Sequence, residues 1–317
     1  MENRISVKNI QISVVIPLYN KCETIGRALE SVFSQIVQPF EIIVVNDGST
    51  DGSETLVKQI NHPLIRIFNQ TNSGVSAARN KGIEMAKGEW IAFLDADDEW
   101  RSEFLKTMQM LAFTYPQCHV VGSAYEINSH NGIRKPIILN KIPFIGEHGL
   151  LTNYFEVATC SQPPISSISI MVTVESIRSI GGFPVGIKAG EDLLTWARLA
   201  VKYKIGYTVL PLSIVNLDLA HQVTHKPTRF YDENDPVGHC LVLLNQTYNY
   251  KSLRKYISHW YKMMSSFNIR LNNRGLAIKY ALKALSYNTL NYKVYLFILM
   301  ALLPVYIQEK IKQIYIL

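Results

Sequence analysis

The chain has 317 residues, of which 48% are hydrophobic and 18% charged. This balance excludes bulk disorder, and the length suffices for one large α/β domain with an appendage. The net charge of +7 is uneven: Asn245 to Leu317 holds eleven Lys and Arg against one acid, Glu309, so residues 1–244 are slightly acidic and nucleic-acid binding by the whole chain finds no support.

Ile12–Ile16 (ISVVI) reads as a short, fully buried strand broken by Pro17 and Asn20. Cys22 to Gln35 has helical periodicity, with Ile25, Leu29, Val32 and Phe33 on one side. Phe40–Val45 (FEIIVV) is a second buried strand, followed by a dense turn, Asn46 to Gly52, in which Ser49, Thr50 or Asp51 can cap the next helix. Leu64–Phe68 is a third strand, Ser73 to Lys87 a helix closed by Gly88, and Trp90–Leu94 a fourth strand ending in Asp95-Ala96-Asp97-Asp98. Ser102 to Tyr115 is helical. Val120 to Pro164 is looser and reads as strands and loops on an acceptor side. Glu191 to Tyr203 is a helix with acids in its first turn, Ile205–Leu210 is a strand, and the chain after about Asn245 is helical and amphipathic.

Strands alternating with helices imply right-handed crossovers and a mainly parallel sheet flanked by helices. Ligands of such sheets bind beyond the carboxyl ends of the strands. The polar clusters stand at those ends: Pro17-Leu18-Tyr19-Asn20, Asp47, and Asp95 with Asp97.

Three carboxylates within Asp95-Ala96-Asp97-Asp98 repel one another unless a cation sits among them, and hard oxygen ligands suit Mg²⁺ or Mn²⁺ shared with phosphate oxygens. The same residues could instead cap a helix. Asp47, followed by Gly48, could shape a turn or hydrogen-bond a base or ribose. Arg79 could fork onto a diphosphate or make a surface ion pair. Asp192 could cap its helix or act as a general base on an acceptor hydroxyl. His221 or His225 could supply a third metal ligand or be structural.

Taken together, SVVIPLYN (Ser13–Asn20), VVNDGSTDGS (Val44–Ser53), NSGVSAARNKGIEMAKGEWIAFLDADD (Asn72–Asp98) and GGF followed by GED (Gly181–Phe183, Gly190–Asp192) resemble the family 2 glycosyltransferases with the GT-A fold, over roughly the first 220 residues. The resemblance implies a nucleoside diphosphate sugar donor, commonly a UDP-sugar, a Mn²⁺ or Mg²⁺ ion and inversion at the anomeric carbon. It places Pro17, Tyr19 and Asp47 at the nucleoside, Arg79 near the nucleotide, and Asp95, Ala96 and Asp97 in an Asp-x-Asp motif at the donor, with Asp97 the likelier direct metal ligand. Asp192 would be the base, and His221 is the preferred match to the family's His-containing segment. Pro184-Val185 after Gly-Gly-Phe departs from the acidic residue common in the family. The Gln-x-x-Arg-Trp motif of processive synthases is absent, so one sugar per encounter is expected.

The expected organisation is a GT-A domain over 1–244, with a nucleotide half to about 118 and an acceptor half from 119, and a basic amphipathic helical extension over 245–317. The expected role is transfer to a hydroxyl of a glycan or lipid-linked saccharide during synthesis of lipopolysaccharide, capsule or exopolysaccharide. The widely spaced Cys22, Cys118, Cys160 and Cys240, with no signal-like apolar run, point to the cytoplasm. Val294 to Gln308 is apolar but shorter than the ~20 residues of a bilayer span, so the tail either packs on protein or docks at the inner face of the plasma membrane. The rivals are a non-catalytic scaffold of the same fold, a nucleotidyltransferase, for which IPLYNKCET lacks a Gly-rich phosphate loop, and an NAD-dependent oxidoreductase, for which no Gly-x-Gly-x-x-Gly follows the first strand.

Overall fold

Four apolar runs build the parallel part of a sheet. β1 (Ile12–Leu18), β2 (Glu41–Asn46), β3 (Ile65–Asn69) and β4 (Trp90–Phe93) lie in the order β3-β2-β1-β4, all parallel. Every residue of β1, β2 and β4 is buried, as strands covered on both faces require. The computed structural model describes residues 10–129, 132–217, 234–304 and 306–308. They form two compact units, one of Met1–Tyr154 with Ser161–Asn234, the other of Phe155–Cys160 with Asp235–Leu317.

In the first unit the sheet continues past β4 with alternating direction. β5 (Glu99–Trp100), β6 (Val120–Asn128), β7 (Arg134–Pro136), β8 (His148–Leu150), β9 (Ile170–Thr173) and β10 (Ile205–Asn216) extend it in the order β4-β9-β6-β10-β5, with β7 on β6 and β8 on β10. β9 runs antiparallel to β4 and β6, which restores the common direction in β6 and β10. The helices α1 (Ile25–Phe33), α2 (Ser53–Ile60), α3 (Val75–Met85), α4 (Phe104–Thr114), α6 (Val174–Ser179) and α7 (Glu191–Lys202) belong to this unit, and α5 (Tyr154–Cys160) spans the division between the units. Ile25, Ala28, Leu29 and Val32 recur at helical spacing on α1 and are buried in the same core as Val14, Ile16, Ile42 and Leu111. α3 approaches β1 closely at Gly82, where an added Cβ would lie 2.3 Å from Cγ1 of the buried Val15. This contact brings the helix that carries Arg79 down onto β1, the strand that contains Pro17 and ends at Leu18.

Several expectations need correction. Pro17 does not end β1, which runs to Leu18 with Pro17 opposite Val45; the ladder to β4 has already stopped at Val15, leaving room for a residue without an amide hydrogen. The N-cap of α2 is Gly52 rather than Ser49, Thr50 or Asp51, and the side chain of Asp51 accepts from the amide of the first helical residue, Ser53, at 3.0 Å and from the Cys22 amide at 2.9 Å. Gly88 does not close α3, which ends at Met85; a Cβ at 88 would lie 2.6 Å from the Gln11 carbonyl oxygen. Val120 to Pro164 holds strands among its loops, as expected, and one of them, β6, lies inside the sheet between β9 and β10. β10 continues past Leu210 to Asn216 because Pro211 sits at a bulge, where two register shifts absorb it.

The second unit is helical from Pro236, earlier than residue 245: α8 (Pro236–Tyr248), α9 (Lys251–Arg270), α10 (Arg274–Tyr287) and α11 (Tyr292–Leu302). Asp235 caps α8 by accepting from the Gly238 amide at 3.0 Å and also accepts from Trp260 Nε1 at 2.9 Å. Ser258 and Ser265 on α9 each donate at 2.8 Å to a carbonyl of α10, from Ala284 and Ala277 respectively. Among the described residues, no helix is long and apolar enough to cross a membrane.

Gly82→Ala is expected to destabilise the protein by about 1–2 kcal/mol, because overpacking against Val15 outweighs the gain of up to about 1 kcal/mol in helix propensity. Urea denaturation checks this, and the Val15→Ala/Gly82→Ala double variant should be less destabilised than the sum of the single changes.

Candidate active site

At the carboxyl ends of β1, β2 and β4 the first unit contains a cavity of about 390 Å³. Its walls include Pro17, Tyr19, Lys21, Asp47 and the run Asp95-Ala96-Asp97. The structure therefore brings together the sequence candidates Pro17, Tyr19, Asp47, Asp95, Ala96 and Asp97. Their shared position follows from topology: parallel neighbours deliver their carboxyl ends to one edge of the sheet. A larger, more polar cavity of about 870 Å³ shares Lys21 and Asp97 with the first and is also lined by Asn20, Arg27, Asn128 and Asn216.

Asp47 is buried, and both its oxygens are engaged. Oδ1 accepts from Gln70 Nε2 at 2.7 Å and from the Ser73 amide at 2.8 Å, and Oδ2 accepts from the Gly74 amide at 2.8 Å. Charge-assisted bonds of this kind fix the loop that enters α3 and hold Asn72 and Gly74 in the cavity wall.

Arg79 differs from its expected place. Its side chain is 2% exposed and is not part of either cavity wall. Nη2 donates to Asp95 Oδ1 at 2.7 Å, Nη1 lies 3.5 Å from Glu191 Oε1, and the guanidinium sits 5.1 Å over the ring of Phe183. Its fork is thus occupied by two carboxylates rather than open to a diphosphate. Burial works against the charge, but Asp95, Glu191 and then Asp192 outweigh it and raise the guanidinium above its ordinary value. Asp95 Oδ2 accepts from Ser167 Oγ at 2.8 Å, so this carboxylate is held from two directions.

Phe183 reaches Arg79 because its loop is tied to α3. Asn80 Nδ2 donates to the Phe183 carbonyl and Asn80 Oδ1 accepts from the Phe183 amide, both at 2.8 Å. Gly182 adopts φ +68°, and a Cβ there would lie 2.4 Å from Asn80 Oδ1, which accounts for the Gly-Gly pair in local terms.

Asp97 is placed differently from Asp95. Its carboxylate is partly exposed, and Oδ2 pairs with Lys21 Nζ at 2.7 Å. Its backbone is anchored, because its carbonyl accepts from Arg27 Nη2 at 2.6 Å and Asn216 Nδ2 at 3.0 Å. Asp98 turns inward and accepts from the Asn216 amide at 2.8 Å; burial first, then Asp95 and Asp97, push its carboxyl well above the ordinary range. A partly exposed carboxylate at the cavity wall that already attracts an ammonium is of the hard-oxygen kind that suits a divalent ion. Among the described residues no cluster of three His, Cys, Asp or Glu side chains could hold an ion unaided. The third-ligand candidate His221, like His225, lies outside the described residues.

Asp192 stands in the first turn of α7, after Gly190 in the left-handed conformation. It lines neither cavity; its Oδ1 accepts from the Leu193 amide at 2.7 Å, and after burial it is the charge that raises the phenol of Tyr125. Its neighbour Glu191, through Arg79, links this helix start to Asp95. Sequence reasoning missed Lys21, Asn80 and Ser167. Lys21, directly after the polar end of β1, carried a positional signal; Ser167, in a loop, carried none.

Residues 13–165 match the family model described as Glycosyl transferase family 2. The uncharacterized glycosyltransferase YibD of Escherichia coli K12 is 43% identical over 104 residues, 32% of this chain and 30% of that protein. The putative teichuronic acid biosynthesis glycosyltransferase TuaG of Bacillus subtilis 168 is 28% identical over 60% of this chain and 72% of its own length. The chain spans about a third of the length of its Escherichia and Rickettsia relatives. Among solved structures, residues 1–349 of S. aureus TarS in complex with UDP-GlcNAc superpose with a TM-score of 0.68 at 17% identity, covering 92% of this chain and 84% of that one, a likeness of fold that identifies the GT-A architecture.

Arg79→Met should cost about 3–5 kcal/mol of stability in chemical denaturation, because it leaves Asp95 and Glu191 without their shared cation. Arg79→Lys should recover only part of this, since one ammonium cannot reproduce the two-armed fork.

Proposed function

This chain belongs to the family 2 glycosyltransferases, and from that premise we propose that it transfers a single sugar, with inversion, from a nucleoside diphosphate sugar to a hydroxyl of a glycan or lipid-linked acceptor. The observation that carries this reading is the cavity whose walls combine Pro17, Tyr19 and Asp47 with Asp95-Ala96-Asp97. It offers an aromatic side chain and a fixed carboxylate to a nucleoside, and a partly exposed carboxylate with a neighbouring ammonium to a diphosphate. UDP-sugars are the first donors to test, because TarS structures of the same fold hold UDP-GlcNAc and UDP.

Asp97 would hold Mn²⁺ or Mg²⁺ together with the diphosphate, with Asp95 oriented behind it by Arg79 and Ser167. Bound there, such an ion would offset the charge that develops on the departing diphosphate. Lys21 is within reach of the same charge. Asp192 is the proposed base: a carboxylate in a half-buried helix start, next to Tyr125, can take the acceptor proton as the hydroxyl attacks from the face opposite the diphosphate. A single displacement of this kind inverts configuration without a covalent intermediate. The adjoining polar cavity, with Asn20, Asn128 and Asn216 in its walls, suits a hydroxyl-rich acceptor. The teichuronic acid assignment of the Bacillus relative supports a role in cell-surface glycan synthesis.

Nucleotide release from UDP-, GDP- and dTDP-sugars, with Mn²⁺, Mg²⁺ or EDTA, tests the reading. One donor should turn over with metal, Asp97→Ala should abolish turnover, and Asp192→Asn should lower kcat by about 10²–10⁴ with donor binding retained. Absence of both turnover and metal-dependent nucleotide binding by calorimetry would return the chain to the scaffold reading.

A further inference from the structure

α11 is apolar on two opposite sides. Val294 and Ala301 are buried, and Ala301 packs with Ile269 and Ala277 of the same unit. The opposite side presents Tyr292, Tyr295, Leu296, Leu299 and Leu302 at helical spacing, all exposed, with Leu299 at 60% and Leu302 at 64%. A helix on a water-facing surface carries charged side chains there, and a contiguous exposed apolar stripe marks an interaction surface.

Charge indicates what covers it. From 236 to 308 the chain has nine Lys and Arg and no Asp or Glu. Lys293 lies on α11 beside the stripe, and it acts together with Lys262 of α9 on the buried His259, whose Nδ1 has no hydrogen-bond partner among the described residues. Burial, then these two lysines, push His259 down to about 3. Among the described residues neither lysine is paired with a carboxylate, so the positive charge beside the stripe is not neutralised within the protein. A second copy of the chain would bring the same positive charge against it. An anionic surface with an apolar interior satisfies both features, and tyrosines at the stripe's edge match the boundary between headgroups and acyl chains.

We propose that the exposed face of α11 is a membrane-docking surface that lies in the plane of an anionic bilayer, with its Leu and Tyr side chains below the headgroups and Lys293 at the lipid phosphates. The proposal is independent of the transfer chemistry.

Vesicle flotation of the full chain, without donor or acceptor, tests it. The protein should float with vesicles of phosphatidylcholine and phosphatidylglycerol, less with phosphatidylcholine alone, and less at high salt. Leu296→Glu/Leu299→Glu should lower partitioning at least about tenfold, and Lys293→Gln roughly fivefold, with circular dichroism and thermal melting unchanged. Failure of the folded wild type to float with the anionic vesicles, or equal flotation of the folded Leu296→Glu/Leu299→Glu variant, would overturn the proposal. So would a concentration-dependent dimer in light scattering that the same two changes abolish, because that assigns the face to a second copy.

Discussion

The site depends on one buried cation. Arg79 collects Asp95 from the end of β4, Glu191 from the start of α7 and the ring of Phe183 from the loop between α6 and α7. A guanidinium excluded from water is tolerated only when its charge is met by anions, as Asp95 and Glu191 meet that of Arg79. Three segments far apart in sequence are therefore compelled to converge, and Asp192, adjacent to Glu191, arrives with them. Arg79 acts as a positioning residue: it sets where two carboxylates stand without lining the cavity itself.

Close approach between α3 and its neighbours makes that convergence possible. Gly82 lets the helix sit against Val15, and Asn80 clasps Phe183 with one donated and one accepted bond. Asp47 fixes the chain that enters the same helix. A single helix is thus held at its start, middle and end by groups serving both packing and site geometry, and a shift there would reach the cavity wall and the carboxylates together.

The parallel half of the sheet was legible in the sequence because strands buried on both faces become unbroken apolar runs, as in ISVVI and FEIIVV. Their polar ends were legible for the same reason, since topology alone gathers them. The other half was legible only in part: Ile205–Leu210 was read as a strand, its continuation to Asn216 was not. β10 contains Pro211, a residue that ordinarily ends a strand and here occupies a bulge, and β7, β8 and β9 are too short for an alternation to stand out. The fate of Arg79 was also hidden, because no local pattern distinguishes an arginine that will be buried between acids from one that will face solvent. Lys21 was overlooked although it follows Tyr19 and Asn20 directly; its meaning appears only when Asp97 is brought across from β4.

Asp95 and Asp97, two residues apart, differ in how readily they change partners. The ion pair of Asp95 with the buried Arg79 is shielded from water and costly to break. The pair between Lys21 and Asp97 is about a third exposed at both ends, so solvent screening leaves it worth less than about 1 kcal/mol. One aspartate is a fixed post and the other an exchangeable contact, occupied by the chain's own ammonium when nothing else is bound. A cation arriving at Asp97 would therefore meet little resistance, and the lysine it displaced would be released beside whatever anion accompanied that cation.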